Sequence, residues 1–284
     1  MILLTGANGV VGQPLGERLM AQNRVFKRVS RHAAKGVIEW DLTQALNHSQ
    51  KEAMHGITTL IHCAPIWLLS QHIEALHALG ITRMVVFSST SVLSKQSSND
   101  ESEQLLVTQL SKGESSLRTF AATHDLTVTI LRPSMIYGYG RDQNVSHIAR
   151  FIKKYRVMLL MGEASGLRQP VHCDDLVKAC IAVIDEPNCF SKSYNLAGAE
   201  AISYRVMVER IFMGLRLKPR IVSMPLSVFR VGLKLASFFG KFAYTPEMAN
   251  RMNQDLAYDY YAASIDFGYQ PEPFLQNPQQ DLPQ

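Results

Sequence analysis

No run in the 284 residues approaches ~20 uncharged apolar side chains, so the sequence predicts no membrane-spanning helix. The opening Met1-Ile2-Leu3-Leu4 passes at once into a glycine motif. No basic stretch, long apolar core or small-residue cleavage site precedes it, and no secretory signal is expected. Cysteine is scarce: Cys63, Cys173, Cys180 and Cys189 form no CxxC pair. That excludes a disulfide framework and predicts a cytoplasmic chain with reduced, mostly buried thiols. Cys173 follows His172, but no second ligand pair accompanies them, so no metal site is expected. Internal repeats and low-complexity tracts are absent as well. So is the aromatic-interleaved basic patch that grips single strands, and no nucleic-acid partner is expected.

What the sequence does have is ordinary globular composition, 46% hydrophobic and 19% charged, enough for a large core. The formal charge is +5. Basic residues are scattered, apart from Lys153-Lys154-Tyr155-Arg156 and a C-terminal stripe. Attraction to an anionic nucleotide or nucleotide-linked substrate accounts for the sign.

Short apolar runs alternate with amphipathic stretches, the pattern of βαβ units. Strands are expected at Met1–Thr5, Val25–Ser30, Val37–Trp40, Thr59–Cys63, Met84–Ser88 and Thr127–Leu131. Helices are expected over Val11–Gln22, Leu68–Leu79 and Leu105–His124, with an exposed loop at Ser94–Gln104. The fold class is therefore α/β, a Rossmann doubly wound parallel sheet with a smaller C-terminal, substrate-facing lobe. Residues 1–135 are expected to form the NAD(P)-binding domain, with later strands added to its sheet from the rest. Residues 136–284 form the mixed substrate-facing part.

Thr5-Gly6-Ala7-Asn8-Gly9-Val10-Val11-Gly12 follows a strand and opens a helix. In a TGxxGxxG motif the first glycine permits the tight turn. The second lets main chain approach a pyrophosphate, and the third lets the helix pack on the strand. The helix N-terminus then offers free N–H groups to the phosphates. An acid at the end of the second strand would hold the ribose of NAD and repel a 2′-phosphate. Here stand Ser30-Arg31, with Arg28 and His32 nearby, and a guanidinium suits a phosphate. NADP is expected, with NAD the alternative.

These residues, with Asp41-Leu42, His62-Cys63-Ala64 and Ser88-Ser89 after the third to fifth strands, resemble the extended short-chain dehydrogenase/reductase superfamily. The resemblance is to its NAD-dependent epimerase/dehydratase members. Leu131–Gly138, Arg168–Leu176 and Ala262–Leu275 extend the resemblance over nearly the whole chain. It implies that Asp41 and Leu42 flank the adenine and that Cys63, Ala64 and Pro65 pack by the ribose and pyrophosphate. It also implies that Pro133 belongs to a segment passing under the nicotinamide. Family chemistry uses a Ser or Thr after the fifth strand, a Tyr, and a Lys four residues beyond it. Ser89 matches the first, and Lys112 in Ser111-Lys112-Gly113-Glu114 resembles the last, as catalytic and ribose-binding lysine. Thr108 stands where the Tyr should be, and no tyrosine occurs before Tyr137. The chain thus resembles atypical members without the YxxxK tyrosine.

Tyr137 and Tyr139 are expected to shape the substrate pocket, and Arg141 and Arg168 to meet a substrate phosphate or carboxylate. Asp174-Asp175 is read as helix N-cap and first-turn charge, and His62 as a packed strand-end residue. Pro225–Ala243, with Arg230, Lys234 and Lys241 on one helical face, is expected to dock on its own domain. Membrane-surface or dimer contact are its alternatives. Two functions remain open. One is an oxidoreductase or nucleotide-sugar-modifying enzyme with an atypical site. The other is a non-catalytic NADP(H)-binding regulatory or assembly protein. A small molecule such as a nucleotide-linked sugar is the expected substrate, and a homodimer is allowed.

Overall fold

The four residues of β1 (Ile2–Thr5) are all buried, as a central strand of a parallel sheet must be. The computed structural model of the chain describes residues 1–32, 34–94, 100–225 and 251–283. After β1 come α1 (Gly12–Ala21), β2 (Phe26–Ser30), β3 (Val37–Glu39), α2 (His48–Ala53), β4 (Thr59–His62), α3 (Ile73–Ala78), β5 (Arg83–Phe87), α4 (Ser91–Ser94), α5 (Glu101–Ala121) and β6 (Thr127–Pro133). The later chain gives β7 (Ile136–Tyr137), α6 (Val145–Tyr155), β8 (Met158–Met161), β9 (Leu167–Arg168), β10 (Val171–His172), α7 (Cys173–Ile184), β11 (Ser193–Leu196), β12 (Ile202–Ser203), α8 (Tyr204–Gly214) and β13 (Ile221–Met224). Two short helices, α9 (Tyr261–Phe267) and α10 (Pro278–Asp281), complete the described elements.

Seven strands pair in parallel in the order β11-β6-β5-β4-β1-β2-β3. The chain winds outward from β1 to β3, then returns to place β4 on the other side of β1. That reversal opens a crevice beyond the carboxyl ends of β1 and β4, where doubly wound sheets bind ligands. On one face Leu15 and Leu19 of α1 pack with Leu176 and Val183 of α7. On the other, Ile73 and Leu76 of α3 pack with Leu110 and Leu117 of α5. A third cluster joins α6 and α8 beneath the paired β8 and β13. No described helix is long and apolar enough to cross a membrane.

The six expected strands are present within a residue or two of their expected ends. The seventh, β11, comes from the later half of the chain. The long helix α5 begins at Glu101 rather than near Leu105. Asp100 causes the shift, because its Oδ1 accepts the N–H groups of Ser102 (2.9 Å) and Glu103 (3.1 Å) and caps the helix. Residues 95–99 of the expected loop, and the stripe at 225–243 beyond Pro225, lie outside the described residues.

Candidate functional site: a dinucleotide cleft

The glycine motif folds into a turn that only glycine tolerates at two points. Gly6 has φ +68°, and a Cβ there would lie 2.5 Å from the Cys63 carbonyl carbon. A Cβ on Gly12 would lie 2.1 Å from the Gly6 carbonyl oxygen, a main-chain clash. The turn is closed by Gly9 N–H donating to Gly6 O at 3.0 Å. Gly9 differs from the other two. Its Cβ would meet only Gly6 O, at 3.2 Å, and otherwise face the cleft. The first turn of α1 carries no acid and no capping side chain, so its N–H groups suit an anion. Val11 is buried, and Val10 packs against the same core, anchoring the turn from below.

A cleft of about 540 Å³ runs from this turn across the ends of β2, β3 and β4. Gly6, Asn8, Gly9, Arg31, Asp41, Leu42, Cys63, Ala64 and Pro65, all expected on resemblance or motif, line it together. Asn8 reaches Ser30 Oγ at 3.5 Å, tying the glycine turn to the end of β2. Asp41 Oδ1 accepts both the N–H and the hydroxyl of Thr43 at 2.9 Å. The backbone bond, then the hydroxyl, hold its carboxyl below the usual range.

Trp40, Thr43 and Leu68 also line the cleft and are added by the structure. Trp40 is buried and meets His72 edge-on at 4.7 Å. His72 and Gln71 both donate to Leu42 O, at 2.8 and 2.7 Å, so α3 and its approach fix the loop after β3. The only sequence signal for this was an aromatic at the end of β3. His62 is the packed residue it was expected to be. Burial drives its pKa down to about 4, leaving a neutral ring between Thr5 Oγ1 (2.8 Å) and Pro65 O (3.1 Å). Burial pushes the Cys63 thiol up, which makes it a packing group rather than a nucleophile.

The expected catalytic pair does not assemble. Lys112 and Thr108 are both exposed on the outer face of α5. Lys112 lines a separate cleft with Ser70, Gln71, Glu74 and Thr119, away from the glycine turn. The register of the helix explains the correction. Leu110, Gly113, Glu114 and Leu117 are buried, so residues two positions from Leu110 turn outward. On the inward face, four residues apart, stand Leu106 and Leu110, packed in the same cluster as Val92. The inward positions of α5 at this spacing therefore carry leucine side chains, neither phenol nor ammonium. Ser89 lies at the end of β5, where its Oγ accepts Ser91 N–H and donates to Ser91 Oγ, both at 3.1 Å. Pro133 ends β6, and its carbonyl accepts Thr90 N–H at 3.0 Å.

The substrate candidates are corrected in two places. Tyr137 is 1% exposed, and its hydroxyl accepts Leu275 N–H at 2.9 Å, so it is core and not pocket. Arg168 is also buried, and it directs its guanidinium to the carbonyls of Leu167, Gln254 and Arg251 inside the fold rather than into a cleft. Arg141 is exposed and reaches Gln13 Oε1 on α1, one residue beyond the glycine turn. Tyr139 packs against the core cluster that holds Val10, and its hydroxyl donates to both Asp174 oxygens at 2.8 and 2.9 Å. Burial, then Asp174, push that phenol well above its usual value, the wrong direction for a proton carrier near neutral pH. Tyr139→Phe should cost about 1 kcal/mol. It should lower Tm by about 2–4 °C in thermal melts and leave nucleotide affinity unchanged. The N-cap of α7 is His172, whose Nδ1 accepts Asp174 N–H at 3.2 Å. Asp174 and Asp175 sit in the first turn, as charge rather than as cap.

Residues 68–197 match the model of the NAD dependent epimerase/dehydratase family. A UDP-glucose 4-epimerase of Vibrio cholerae is 21% identical, over 97% of this chain and 92% of its own length. A 2-alkyl-3-oxoalkanoate reductase of Stenotrophomonas maltophilia is 25% identical, over 95% and 94%. The structure of a Bacillus cereus UDP-glucuronic acid 4-epimerase, in complex with UDP-glucuronic acid and NAD, superposes with a TM-score of 0.74 at 15% identity. That superposition covers 99% of this chain and 97% of the other.

Proposed function

We propose, from the match of residues 68–197 to the NAD dependent epimerase/dehydratase family, that this chain is an NADP(H)-dependent oxidoreductase or nucleotide-sugar-modifying enzyme of that type with an atypical active site. The observation that carries the reading is the glycine turn pressed against Cys63–Ala64 and opening onto the cleft that ends at Arg31. Gly9 and the first turn of α1 hold the diphosphate. Asp41, Leu42 and Trp40 bound the adenine end. Arg31, Ser30 and His32 meet a ribose 2′-phosphate where an NAD site would carry an acid.

A nicotinamide dinucleotide bound there supplies hydride exchange at its ring. The chain's own contribution differs from the family pattern. Ser89 polarises the substrate oxygen, and water or the substrate itself carries the proton, because Leu106 and Leu110 hold none. Arg141, beside the start of α1, is the remaining candidate for a substrate anion. Nucleotide-linked sugars and small carbonyl compounds are the substrate classes, on the likeness to the epimerases and the reductase. The two leucines also favour a second reading, in which the nucleotide is held without turnover.

Arg31→Asp tests the cofactor. NADP(H) affinity should fall roughly 10- to 100-fold by calorimetry, the worth of a charge-assisted bond to phosphate, while NAD(H) affinity holds or rises. Equal losses for both would remove the preference. For the reaction, NADPH is mixed with nucleotide sugars, ketones and aldehydes, and both nicotinamide absorbance and product composition are followed. Tight binding with neither hydride loss nor isomerised product would leave the second reading.

A further inference from the structure

Where α6 ends in Lys153-Lys154-Tyr155-Arg156, the C-terminus of α8 lies beside it, because the two helices share one apolar cluster. The chain beyond α8 continues as Arg216, Lys218 and Arg220 before β13 pairs with β8. Residues 151–156 and 215–220 hold six cations and no acid, against an excess of five for the whole chain. The rest of the protein is therefore near neutral, and its basic character is concentrated here.

All six cations are exposed. None has an ion-pair partner among the described residues. Met158 N–H donates to Arg220 O at 2.9 Å, and Lys153, Arg156 and Arg216 line one cleft of about 520 Å³, which brings the two segments together. Arg156 and Arg216 both have left-handed backbone, φ +60° and +58°. Glycine takes that conformation at a helix end without strain, and here arginine occupies it twice.

Apolar side chains stand among the charges. Tyr155 is 52% exposed, Met213 59% and Val222 53%. Lys154 Nζ lies 4.9 Å from the Tyr155 ring centre. The cleft is bounded by the C-terminal ends of α6 and α8 and by Pro278, Gln279, Leu282 and Pro283, and the carbonyls at the ends of α6 and α8 disfavour a small anion seated against them. The long cationic side chains instead reach outward from those ends. A phosphodiester backbone would satisfy the charges and offer nothing to Tyr155, Met213 and Val222. The headgroup layer of an anionic bilayer offers both a negative surface and an apolar boundary.

We infer that this face, formed by the C-terminal ends of α6 and α8, docks the protein peripherally on anionic phospholipid membranes. It shares no lining residue with the nucleotide cleft, so docking and nucleotide binding use different surfaces.

The test is co-sedimentation of the full chain with phosphatidylcholine vesicles, with and without phosphatidylserine. Binding is expected only with phosphatidylserine, and it should disappear at about 1 M salt, where the screening length is ~3 Å. Each cation near the surface contributes about fivefold, so Lys154→Ala/Lys218→Ala/Arg220→Ala should weaken binding roughly 100-fold. The melting temperature and NADP(H) affinity should not move, since those side chains make no hydrogen bond or ion pair. Equal binding to both vesicle types, or full retention by the triple variant, overturns the assignment. Tighter binding to a DNA or RNA duplex than to phosphatidylserine vesicles at the same salt also overturns it, and gives the patch to nucleic acid.

Discussion

Gly12→Ala is expected to abolish nucleotide binding and to destabilise the fold by about 3 kcal/mol or more. The new methyl would lie 2.1 Å from Gly6 O, 2.8 Å from Gly6 C and 3.0 Å from Ala7 Cα. All three are main-chain atoms of the turn, so no side-chain rotation relieves the clash. Either α1 moves off β1 or the turn opens, and both spoil the N–H array proposed to hold the diphosphate. Gly9→Asp separates the two effects. At Gly9 the nearest atom to a Cβ is Gly6 O at 3.2 Å, and the rest is open cleft. Stability should change by about 1 kcal/mol at most. A carboxylate at the diphosphate position should nonetheless weaken NADP(H) and NAD(H) alike by at least ~100-fold in calorimetry. If Gly9→Asp binds either nucleotide normally, the cleft is not a dinucleotide site.

Glu114→Ala should be among the most damaging changes outside the glycine turn, at about 3–5 kcal/mol. Glu114 is 4% exposed, in the middle of α5. Its Oε1 accepts Arg132 Nε at 2.9 Å and Ser88 Oγ at 2.7 Å, and its Oε2 accepts Arg132 Nη2. These bonds join α5 to the ends of β5 and β6. Removing the carboxylate leaves a mostly buried guanidinium without its partner, and that stranded charge accounts for most of the loss. Glu114→Leu/Arg132→Leu should recover part of it, because no charge is left behind. Burial alone would raise the Glu114 pKa, but hydrogen bonds from Arg132 and Ser88 outweigh it and hold the value below the ordinary one. The group's contribution is therefore present above about pH 4.3, the unfolded value, and is lost as pH falls through the folded value. Chemical denaturation of the parent and Glu114→Gln should show a stability gap at pH 7 that narrows towards about pH 3. A gap that stays constant over that range would show that charge is not the cause.

The candidate cleft was legible because it is made of main chain. Gly6, Gly9 and Gly12 mark backbone positions, and their spacing after a strand encodes the turn directly. Cys63, Ala64 and Asp41 fall at strand ends, which the parallel sheet gathers on one edge. Lys112 was not legible in the same way. One residue of register on a helix is 100° of rotation, and the sequence of α5 carries a lysine whose local motif imitates the family while its face does not. The burial of Leu110, Gly113, Glu114 and Leu117, with the bond from Arg132 to Glu114, fixes which side of α5 looks inward. Tyr137 and Arg168 failed for a related reason, since polar residues expected in a pocket found buried partners in Leu275 N–H and in carbonyls around 251–254.

By itself the sequence determined the alternation of strand and helix, the parallel sheet, the glycine turn and the basic character of the β2 end. All of these depend on local periodicity or on residues adjacent in the chain. Tertiary structure alone decided that β11 joins the sheet and that α5 turns leucines rather than a phenol and an ammonium inward. It alone also gathered the cations of α6 and those beyond α8, about sixty residues apart in the chain, onto one face. Long-range packing sets those relations, and no local pattern carries the rotation of a helix or the partner of a distant segment.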